Sequence, residues 1–392
     1  MEQVFIAAAK RSPIAKLNGA FSELSAAQIN AQVIAALLAE TGLNGAALDE
    51  VLLGQVLTGG AGQNPARQAA IAAGIPVDVP AATLNMVCGA GQKSIHMAAQ
   101  AIKAGDAGLI LAGGQDSMTS APHFMPSRAP HKMGTATAQD MMLTDGLWDV
   151  FNDIHMGATV EQLASRYQVT REDQDAFALE SQHKADMAIR DGHFAKEIAP
   201  VVVSAKGGTR VVEADEHPRP DVTADALAAM QPVFDPSGTL TVGNSSGLND
   251  GSAAVLVGGE RRLREVELAP LARIASYASA ALDPMNMGLG PAFAAKKALA
   301  LAGWRASDLD VIELNEAFAA QAIAVNREVG WDMSKINPNG GAIALGHPLA
   351  GSGARIVVTL LHQMLRTGAK RGLAALCIGG GQGVAICLEA GG

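Results

Sequence analysis

The stretch Asn85-Met86-Val87-Cys88-Gly89-Ala90-Gly91 decides how the rest of the chain is interpreted. An apolar run over residues 81–87 predicts a strand, and residues 92–103 predict a helix, so Cys88 lies at a strand-to-helix corner. Unpaired backbone N–H groups and the positive end of the helix dipole would lower the pKa of a thiol there. The alternative is that Cys88 is a small buried hydrophobic residue, as free cysteines often are.

Composition favours a large, ordered protein. The chain has 392 residues, of which 49% are hydrophobic and 17% are charged, so two or three domains with an extensive core are expected. The formal net charge of −9 disfavours nucleic acid as a partner, because there is no basic excess to neutralise phosphates. No CxxC or HExxH motif occurs, and we therefore predict no metal site.

The compartment expected from the sequence is the cytoplasm. Three cysteines, at positions 88, 377 and 387, are too few for a disulfide scaffold and fit a reducing environment. Residues 1–13 lack the basic segment and apolar core of a secretory signal. No run reaches the roughly 18 apolar residues that a membrane-spanning helix needs, so we expect no membrane partner.

Strand-like and helix-like segments alternate through residues 1–118, which predicts a mainly parallel sheet covered by helices on both faces. Between residues 119 and 248 the pattern breaks, and this region is interpreted as an insertion, either a surface excursion or a binding element. The alternation then resumes. We therefore predict an N-terminal domain of residues 1–118 with 249–269, an inserted loop domain of residues 119–248, and a C-terminal domain of residues 270–392.

The two outer domains look like copies of each other. Residues 49–55 resemble residues 309–315, and residues 109–115 resemble residues 375–382. Cys88 lies 33 residues after Gln55, and His347 lies 32 residues after Asn315. Duplicated domains related by a pseudo-two-fold axis would place Cys88 and His347 at equivalent corners facing each other. The alternative is a coincidence between two segments rich in glycine and alanine.

His347 and Cys377 are the other candidates for chemistry. His347 lies between Gly346 and Pro348, which predicts a fixed turn from which the imidazole could accept the proton of Cys88. Cys377 comes shortly before the glycines at 379–381, whose backbone N–H groups could approach a developing oxyanion. Cys387, in the following apolar run, is interpreted as a core residue.

Two further segments allow more than one interpretation. Asn315 follows the apolar run 311–314, at the end of a strand where open α/β sheets bind ligands, although it could equally be a helix N-cap. The loop of residues 243–251 could be an inert connection or a clamp for a phosphate or an amide. Neither a P-loop nor a strand–GxGxxG–helix unit is present, so nucleotide hydrolysis and NAD chemistry rank low.

Taken together, these stretches resemble the thiolase family, and most closely its biosynthetic acetoacetyl-CoA branch. The matching motifs occur in family order along nearly the whole chain: QNPARQAA (63–70), NMVCGAG (85–91), GGQDSM (113–118), HMG (155–157), DEHPR (215–219), GNSSGLNDG (243–251), MGLGP (287–291), NEAF (315–318), GAIALGHPLAGSGARI (341–356) and CIGGGQG (377–383). The chain departs from the family pattern at Gln92, where leucine is common. Gln92 directly follows residues 85–91, the segment that contains the expected nucleophile.

The resemblance implies an α/β fold of the thiolase type, with two duplicated βαβ-type domains in five layers (αβαβα) and an inserted loop domain that binds coenzyme A. It implies acetyl-CoA C-acetyltransferase activity, the reversible Claisen condensation of two acetyl-CoA molecules to acetoacetyl-CoA and CoA through an S-acyl Cys88. The alternatives are a degradative 3-ketoacyl-CoA thiolase for longer chains, and a non-catalytic acyl-CoA or lipid-binding protein on the same scaffold. The implied assembly is a homotetramer, a dimer of dimers.

The resemblance also implies residue roles. Cys88 would be the acylated nucleophile, His347 would activate it, and Cys377 would move the proton at the α-carbon of the second substrate. Asn315, through a water, and His347 would form one oxyanion hole, and the N–H groups of Cys88 and Gly379 would form the other. The substrate is coenzyme A or acetyl-CoA, and no tightly bound cofactor is expected. Its path would be lined by Leu147, His155, Met156, Arg219, Phe234, Ser246 and Ala317.

Overall fold

The computed structural model describes residues 2–128, 132–205 and 207–391. The strands are β1 (Val4–Arg11), β2 (Ala15–Lys16), β3 (Glu50–Gly54), β4 (Ala81–Leu84), β5 (Leu109–Ser117), β6 (His123–Phe124), β7 (Gln139–Asp140), β8 (Trp148–Asp149), β9 (Ile154–His155), β10 (Val201–Ala205), β11 (Gly208–Val212), β12 (Asn249–Gly259), β13 (Ala272–Ala281), β14 (Val311–Leu314), β15 (Arg371–Ile378) and β16 (Gln382–Ala390). The helices are α1 (Ala26–Thr41), α2 (Pro65–Ala72), α3 (Ala90–Ala104), α4 (Met156–Arg166), α5 (Arg171–Arg190), α6 (Ala224–Ala228), α7 (Glu260–Glu265), α8 (Gly290–Ala302), α9 (Ala319–Val329), α10 (Ala342–Leu345) and α11 (Leu349–Thr367).

The main sheet consists of two halves. The first half-sheet has the strand order β4-β3-β5-β12-β1, with β2 paired to β12, and the second has the order β14-β15-β16-β13. A short antiparallel pairing of β1 with β13 joins them. In the first half-sheet β12 is antiparallel to the other strands, and in the second half-sheet β16 is antiparallel to the others. For β16 the reason is local: the glycine turn at 379–381 is too short for anything but antiparallel pairing.

Helices form the remaining three layers. The central layer consists of α3 and α11, whose apolar side chains share one core with residues from both half-sheets. Helices α1 and α2 cover the outer face of the first half-sheet, and α8 and α9 cover that of the second. The order is therefore helix, sheet, helix, sheet, helix, and the predicted five-layer fold is confirmed.

Glycines set how closely the two central helices approach. A Cβ atom on Gly91 would lie 2.3 Å from the carbonyl oxygen of Ala350, and one on Gly353 would lie 2.7 Å from the backbone nitrogen of Gln92. Only residues without side chains allow this contact between the first turns of α3 and α11. Cys88 lies in the turn before α3, and His347 lies in the turn before α11. The contact between the two helices therefore brings these two residues to the same region of the molecule.

The internal repeat is present, but the sequence alignment of its first pair of segments is displaced by one residue, and that of the second pair by four, since the carbonyls of Leu109 and Arg371 accept equivalent hydrogen bonds from the backbone N–H groups of Asp49 and Asp310. Asp49 accepts hydrogen bonds from the backbone of Gly108 and Leu109, at 2.7 and 2.9 Å. Asp310 does the same for Lys370 and Arg371, at 2.8 and 2.9 Å. Asp49 therefore corresponds to Asp310 and not to its neighbour at 309. Both strands are apolar and almost fully buried, so their sequences fit nearly as well in either alignment, and the equivalent aspartate hydrogen bonds distinguish the two.

The region between β5 and β12 contains short hairpins and the helices α4, α5 and α6. A buried ion cluster anchors it to β1. The guanidinium of Arg11 is bidentate to Asp215, at 2.7 and 2.9 Å, and its Nε donates to Glu197 at 2.5 Å. These contacts position the DEHPR motif against the sheet. The limits of the three domains, including 119–248 for the insertion, remain a prediction.

In the part of the chain that the structure describes, no helix combines the length and the apolar character needed to cross a membrane.

Candidate active site

A cavity of about 550 Å³ opens where the central helices, the second half-sheet and the insertion meet. Four predicted catalytic residues line it: Cys88, His347, Cys377 and Gly379. All the residues predicted for the coenzyme A path also line it, namely Leu147, His155, Met156, Arg219, Phe234, Ser246 and Ala317. Asn315 is fully buried and is not part of the lining.

Cys88 lies between the end of β4 and the start of α3, at the corner that the sequence predicts. The preceding residue, Val87, has a φ of +45°, a strained conformation for a β-branched side chain, and Asn85 accepts a hydrogen bond from its N–H at 2.8 Å. This turn holds Cys88 at the cavity wall, where it is partly exposed. Strained backbone of this kind is typical of functional sites.

The predicted lowering of the pKa of the Cys88 thiol is wrong. Burial raises its pKa to about 12, and the charge of Asp116 acts in the same direction. The backbone N–H groups of Cys88 and Gly379 lower the pKa, but by less than burial raises it. Cys88 is therefore a thiol at neutral pH, and it needs a base when it attacks. The same two N–H groups are those predicted to bind an oxyanion.

The raised pKa predicts how Cys88 reacts with iodoacetamide. Because only the thiolate is alkylated, the rate should increase about tenfold per pH unit from about pH 6.5 to about pH 9.5, without a plateau. Site-resolved mass spectrometry after timed alkylation measures this rate for Cys88 separately from the other two cysteines. A rate that levels off below about pH 8 would contradict the raised pKa and restore the lowered one.

His347 lies on the turn between α10 and α11. The preceding residue, Gly346, has a φ of +105°, and a Cβ atom there would lie 2.7 Å from the side chain of Asn249. Asn249 Oδ1 accepts the backbone N–H of His347 at 2.9 Å, and Ser352 Oγ lies 2.5 Å from His347 Nδ1. When Nδ1 donates its proton to Ser352, the lone pair is on Nε2. Ser352 thus orients the imidazole, and Asn249 holds the backbone of the turn that carries it.

Burial lowers the pKa of His347 to about 4, and the nearby Arg355 guanidinium adds to this effect. The imidazole is therefore neutral at pH 7 and can accept a proton. A neutral histidine that lines the same cavity as a protonated cysteine suits general-base catalysis during nucleophilic attack.

Cys377 lies near the end of β15, two residues before Gly379, and is buried. Burial raises the pKa of its thiol, and the proximity of Cys88 raises it further. The turn that follows requires glycine, because Gly380 and Gly381 have φ values of +83° and +78°. Cys377 therefore holds its proton in the free protein and can donate it to a stronger base.

Asn315 follows β14, and its backbone N–H donates to the carbonyl of Ala375 on β15 at 3.0 Å. Neither the Oδ1 nor the Nδ2 of its side chain has a hydrogen-bond partner among the described residues, although the side chain is fully buried. Buried amides are normally satisfied, so this group is suited to a water or a substrate atom. The N-cap role is not observed, since α9 begins four residues later, at Ala319.

The insertion supplies one wall of the cavity. The ring of His155 stacks on Phe234 with centroids 4.7 Å apart, and Phe234 meets the edge of Phe318 at 5.8 Å. A Cβ atom on Gly157 would lie 2.3 Å from the Phe234 ring, so the HMG motif needs its glycine for this contact. This wall of the cavity is therefore apolar and closely packed, as is usual for small-molecule sites.

Several residues that line the cavity were not predicted from the sequence. Most of them are members of the motifs quoted above. They include Lys16, Met118, His217, Leu248, Met287, Phe318 and Leu349. His217 belongs to DEHPR, Met287 to MGLGP and Phe318 to NEAF, so their places in these motifs could have identified them as residues of the site. Lys16 lies outside every motif, and only the structure identifies it. Among the described residues, no group of three or more His, Cys, Asp or Glu side chains is placed to hold a metal ion.

Comparison with known proteins agrees with this geometry. Residues 4–261 match the family model "Thiolase, N-terminal domain", and residues 268–390 match "Thiolase, C-terminal domain". An acetyl-CoA acetyltransferase of Pseudomonas aeruginosa is 55% identical over 99% of both chains. One from Cupriavidus necator is 52% identical over 99% of this chain and 100% of its own length. The crystal structure of the Bacillus anthracis acetyl-CoA acetyltransferase has a TM-score of 0.97 at 40% identity and covers 100% of this chain and 99% of its own. Because these matches span nearly the whole chain, the chain belongs to the thiolase family.

Proposed function

We propose that the protein is an acetyl-CoA C-acetyltransferase, which joins two acetyl-CoA molecules to acetoacetyl-CoA and CoA and catalyses the reverse thiolysis. The observation that carries the proposal is the convergence of Cys88, His347 and Cys377 on one cavity. Full-length relatives that bear this enzyme name, at 52–55% identity, support it.

Thiolysis begins with the attack of Cys88 Sγ on the keto carbon of acetoacetyl-CoA. His347 takes the thiol proton, and the developing oxyanion is met by the N–H groups of Cys88 and Gly379. Removal of one such donor costs on the order of 3 kcal/mol in acyl-transfer enzymes. The neutral imidazole and the protonated thiol of the free protein are the states that this step requires.

Cleavage of the C–C bond leaves an acetyl group on Cys88 and an enolate of acetyl-CoA. We propose that Cys377 protonates the enolate carbon while Asn315 and His347 stabilise the enolate oxygen. The raised pKa of Cys377 supports this role, because a donor to a carbanion must hold its proton until that moment. Acetyl-CoA then leaves, and the Cys377 thiolate takes the proton of an incoming CoA thiol. The CoA thiolate attacks the acetyl group, and protonated His347 returns its proton to Cys88.

The proposal predicts a preference for short acyl chains. Met118, Leu147, Leu248 and Leu349 belong to a hydrophobic cluster that packs against Cys88, and extra methylene groups would crowd it. We expect kcat/KM in thiolysis to be about tenfold higher for acetoacetyl-CoA than for 3-ketooctanoyl-CoA. A steady-state substrate panel measures this ratio. A clear preference for the longer substrate would support the degradative alternative, and binding of CoA without any thiolysis would support the non-catalytic one.

We further propose that the enzyme is cytoplasmic and forms a homotetramer. The three free cysteines support a reducing compartment. Strand β4 is the last strand of the first half-sheet, and Phe124 and Met125 expose apolar surface on the segment 119–142, so both regions are available for contacts between subunits. Residues 129–131 of this segment lie outside the described residues. A monomer in light scattering at assay concentrations would remove the tetramer from the proposal.

A further inference from the structure

The charge distribution of the cavity differs from that of the whole chain. The chain has 38 acidic and 29 basic residues, yet no aspartate or glutamate is among the described residues that line the cavity. The basic side chains in the lining are Lys16, Arg219 and three histidines, His155, His217 and His347.

The histidines contribute no charge at neutral pH. Burial lowers the pKa of His217 and of His347 to about 4, and it lowers the pKa of His155 as well. At His217 the positive charges of Arg219 and Lys16 add to the lowering of the pKa by burial, and the carboxylates of Asp215 and Glu216, which lie outside the cavity lining, act against it. Lys16 and Arg219 are therefore the permanent cations of the cavity.

Both cations lack an anionic partner among the described residues. The hydrogen bonds of Lys16 and Arg219 involve their backbone atoms: the Lys16 N–H donates to Glu216 at 3.0 Å, and the Arg219 N–H donates to Gln182 at 2.8 Å. Glu216 Oε2 also accepts the N–H of Ala20 at 2.9 Å, so its carboxylate is engaged by backbone donors.

The backbone of Lys16 is held rigidly while its side chain is exposed. Strand β2 pairs with β12 through Lys16 and Asn249, and the next residue, Leu17, donates to the Leu248 carbonyl at 3.0 Å. Leu248 in turn forms a bridge with His347. Lys16 is thus linked to the turn that carries the predicted base, and it is an exposed residue in the lining of the cavity.

We propose that Lys16 is a phosphate-binding residue of the coenzyme A site, acting with Arg219 on the 3′-phosphate or the diphosphate of the nucleotide. This assignment rests on the proposed function, because it takes coenzyme A as the ligand. A flexible ammonium without a partner, on a rigid strand beside an uncharged pantetheine channel, is suited to anchoring phosphate. The acyl end of the ligand then reaches Cys88, and the anionic end remains at the two cations.

The test is calorimetric binding of CoA, dephospho-CoA and pantetheine to the wild type and to Lys16→Met, Lys16→Arg and Lys370→Met. Lys370 is a matched control, an exposed lysine just before β15, at the opposite end of that strand from Cys377. We expect Lys16→Met to lower the preference for CoA over pantetheine, measured as a ratio of Kd values, by about five- to tenfold. Lys16→Arg should restore most of this preference, and Lys370→Met should not change it.

Dephospho-CoA distinguishes the two phosphate groups. If the penalty of Lys16→Met disappears with dephospho-CoA, the partner is the 3′-phosphate, and if it persists, the partner is the diphosphate. An unchanged ratio in Lys16→Met, or an equal loss in Lys370→Met, would overturn the assignment. Binding needs no turnover, so an enzyme that binds CoA through Lys16 but does not catalyse thiolysis would contradict the proposed function alone.

Discussion

Replacing Cys88 with alanine should lower the kcat of acetoacetyl-CoA thiolysis by about 10⁴-fold or more, since no other group can form the acyl-enzyme. The thiol lies at the cavity wall between two backbone N–H groups, with a neutral imidazole available as its base. Radiolabelled acetyl-CoA should label the wild type at one cysteine and should not label Cys88→Ala. Steady-state kinetics and peptide mapping measure the two effects separately.

Cys387→Ala is the matched control for this substitution. Cys387 is fully buried in the core between the second half-sheet and its outer helices, away from the cavity lining. We expect its removal to cost some stability, about 1 kcal/mol for a small cavity, and to leave kcat within about twofold of the wild type. Acetyl labelling of Cys88→Ala at the level of the wild type would show that the nucleophile is another residue.

Cys377→Ala should separate the two halves of the reaction. We expect kcat for thiolysis to decrease by about 10³-fold, because the enolate loses its proton donor. Transfer of an acetyl group from acetyl-CoA to Cys88 should be affected much less, because His347 still takes the thiol proton of Cys88 and the departing CoA thiolate, unlike the enolate carbon, can leave without a proton from Cys377. Rapid-quench measurement of acetyl-enzyme, beside steady-state thiolysis, gives both rates from one preparation.

The serine variant strengthens this test. Cys377→Ser replaces the thiol by a hydroxyl of similar size. Because the proton of a hydroxyl is far less acidic than that of a thiol, we expect turnover to stay low. Equal losses of acetylation and of turnover in Cys377→Ala would indicate that Cys377 supports the structure around Cys88 and does not transfer a proton. Near wild-type turnover in either variant would exclude it as the acid.

Much of the candidate active site could be predicted from local patterns in the sequence. The corner at Cys88, the fixed turn at His347 and the glycine turn after Cys377 depend on residues within a few positions of each other, and all three are present in the structure. The alternation of strands and helices likewise predicted a sheet with covering helices, but the expectation of mainly parallel pairing was wrong, because β12 and β16 pair antiparallel with both of their neighbours. The repeat was detectable, but its register was not, because an apolar strand matches its partner almost as well when displaced by one residue.

Other features could not be read from neighbouring residues. Lys16 lies outside every motif, and it reaches the cavity because β2 pairs with β12 more than 230 positions along the chain. The pKa values of Cys88 and His347 depend on burial by segments distant in sequence, and for Cys88 burial outweighs the lowering by the backbone N–H groups of Cys88 and Gly379.

The sequence by itself determined which residues are available for chemistry, what turns they occupy and to which family the chain belongs, because these properties depend on local composition and order. Only the tertiary structure decided that the turns meet, how the thiols and the imidazole are protonated, and which cations surround the cavity. The physical reason is that proximity and desolvation arise when distant segments pack, here through the glycine contacts between α3 and α11.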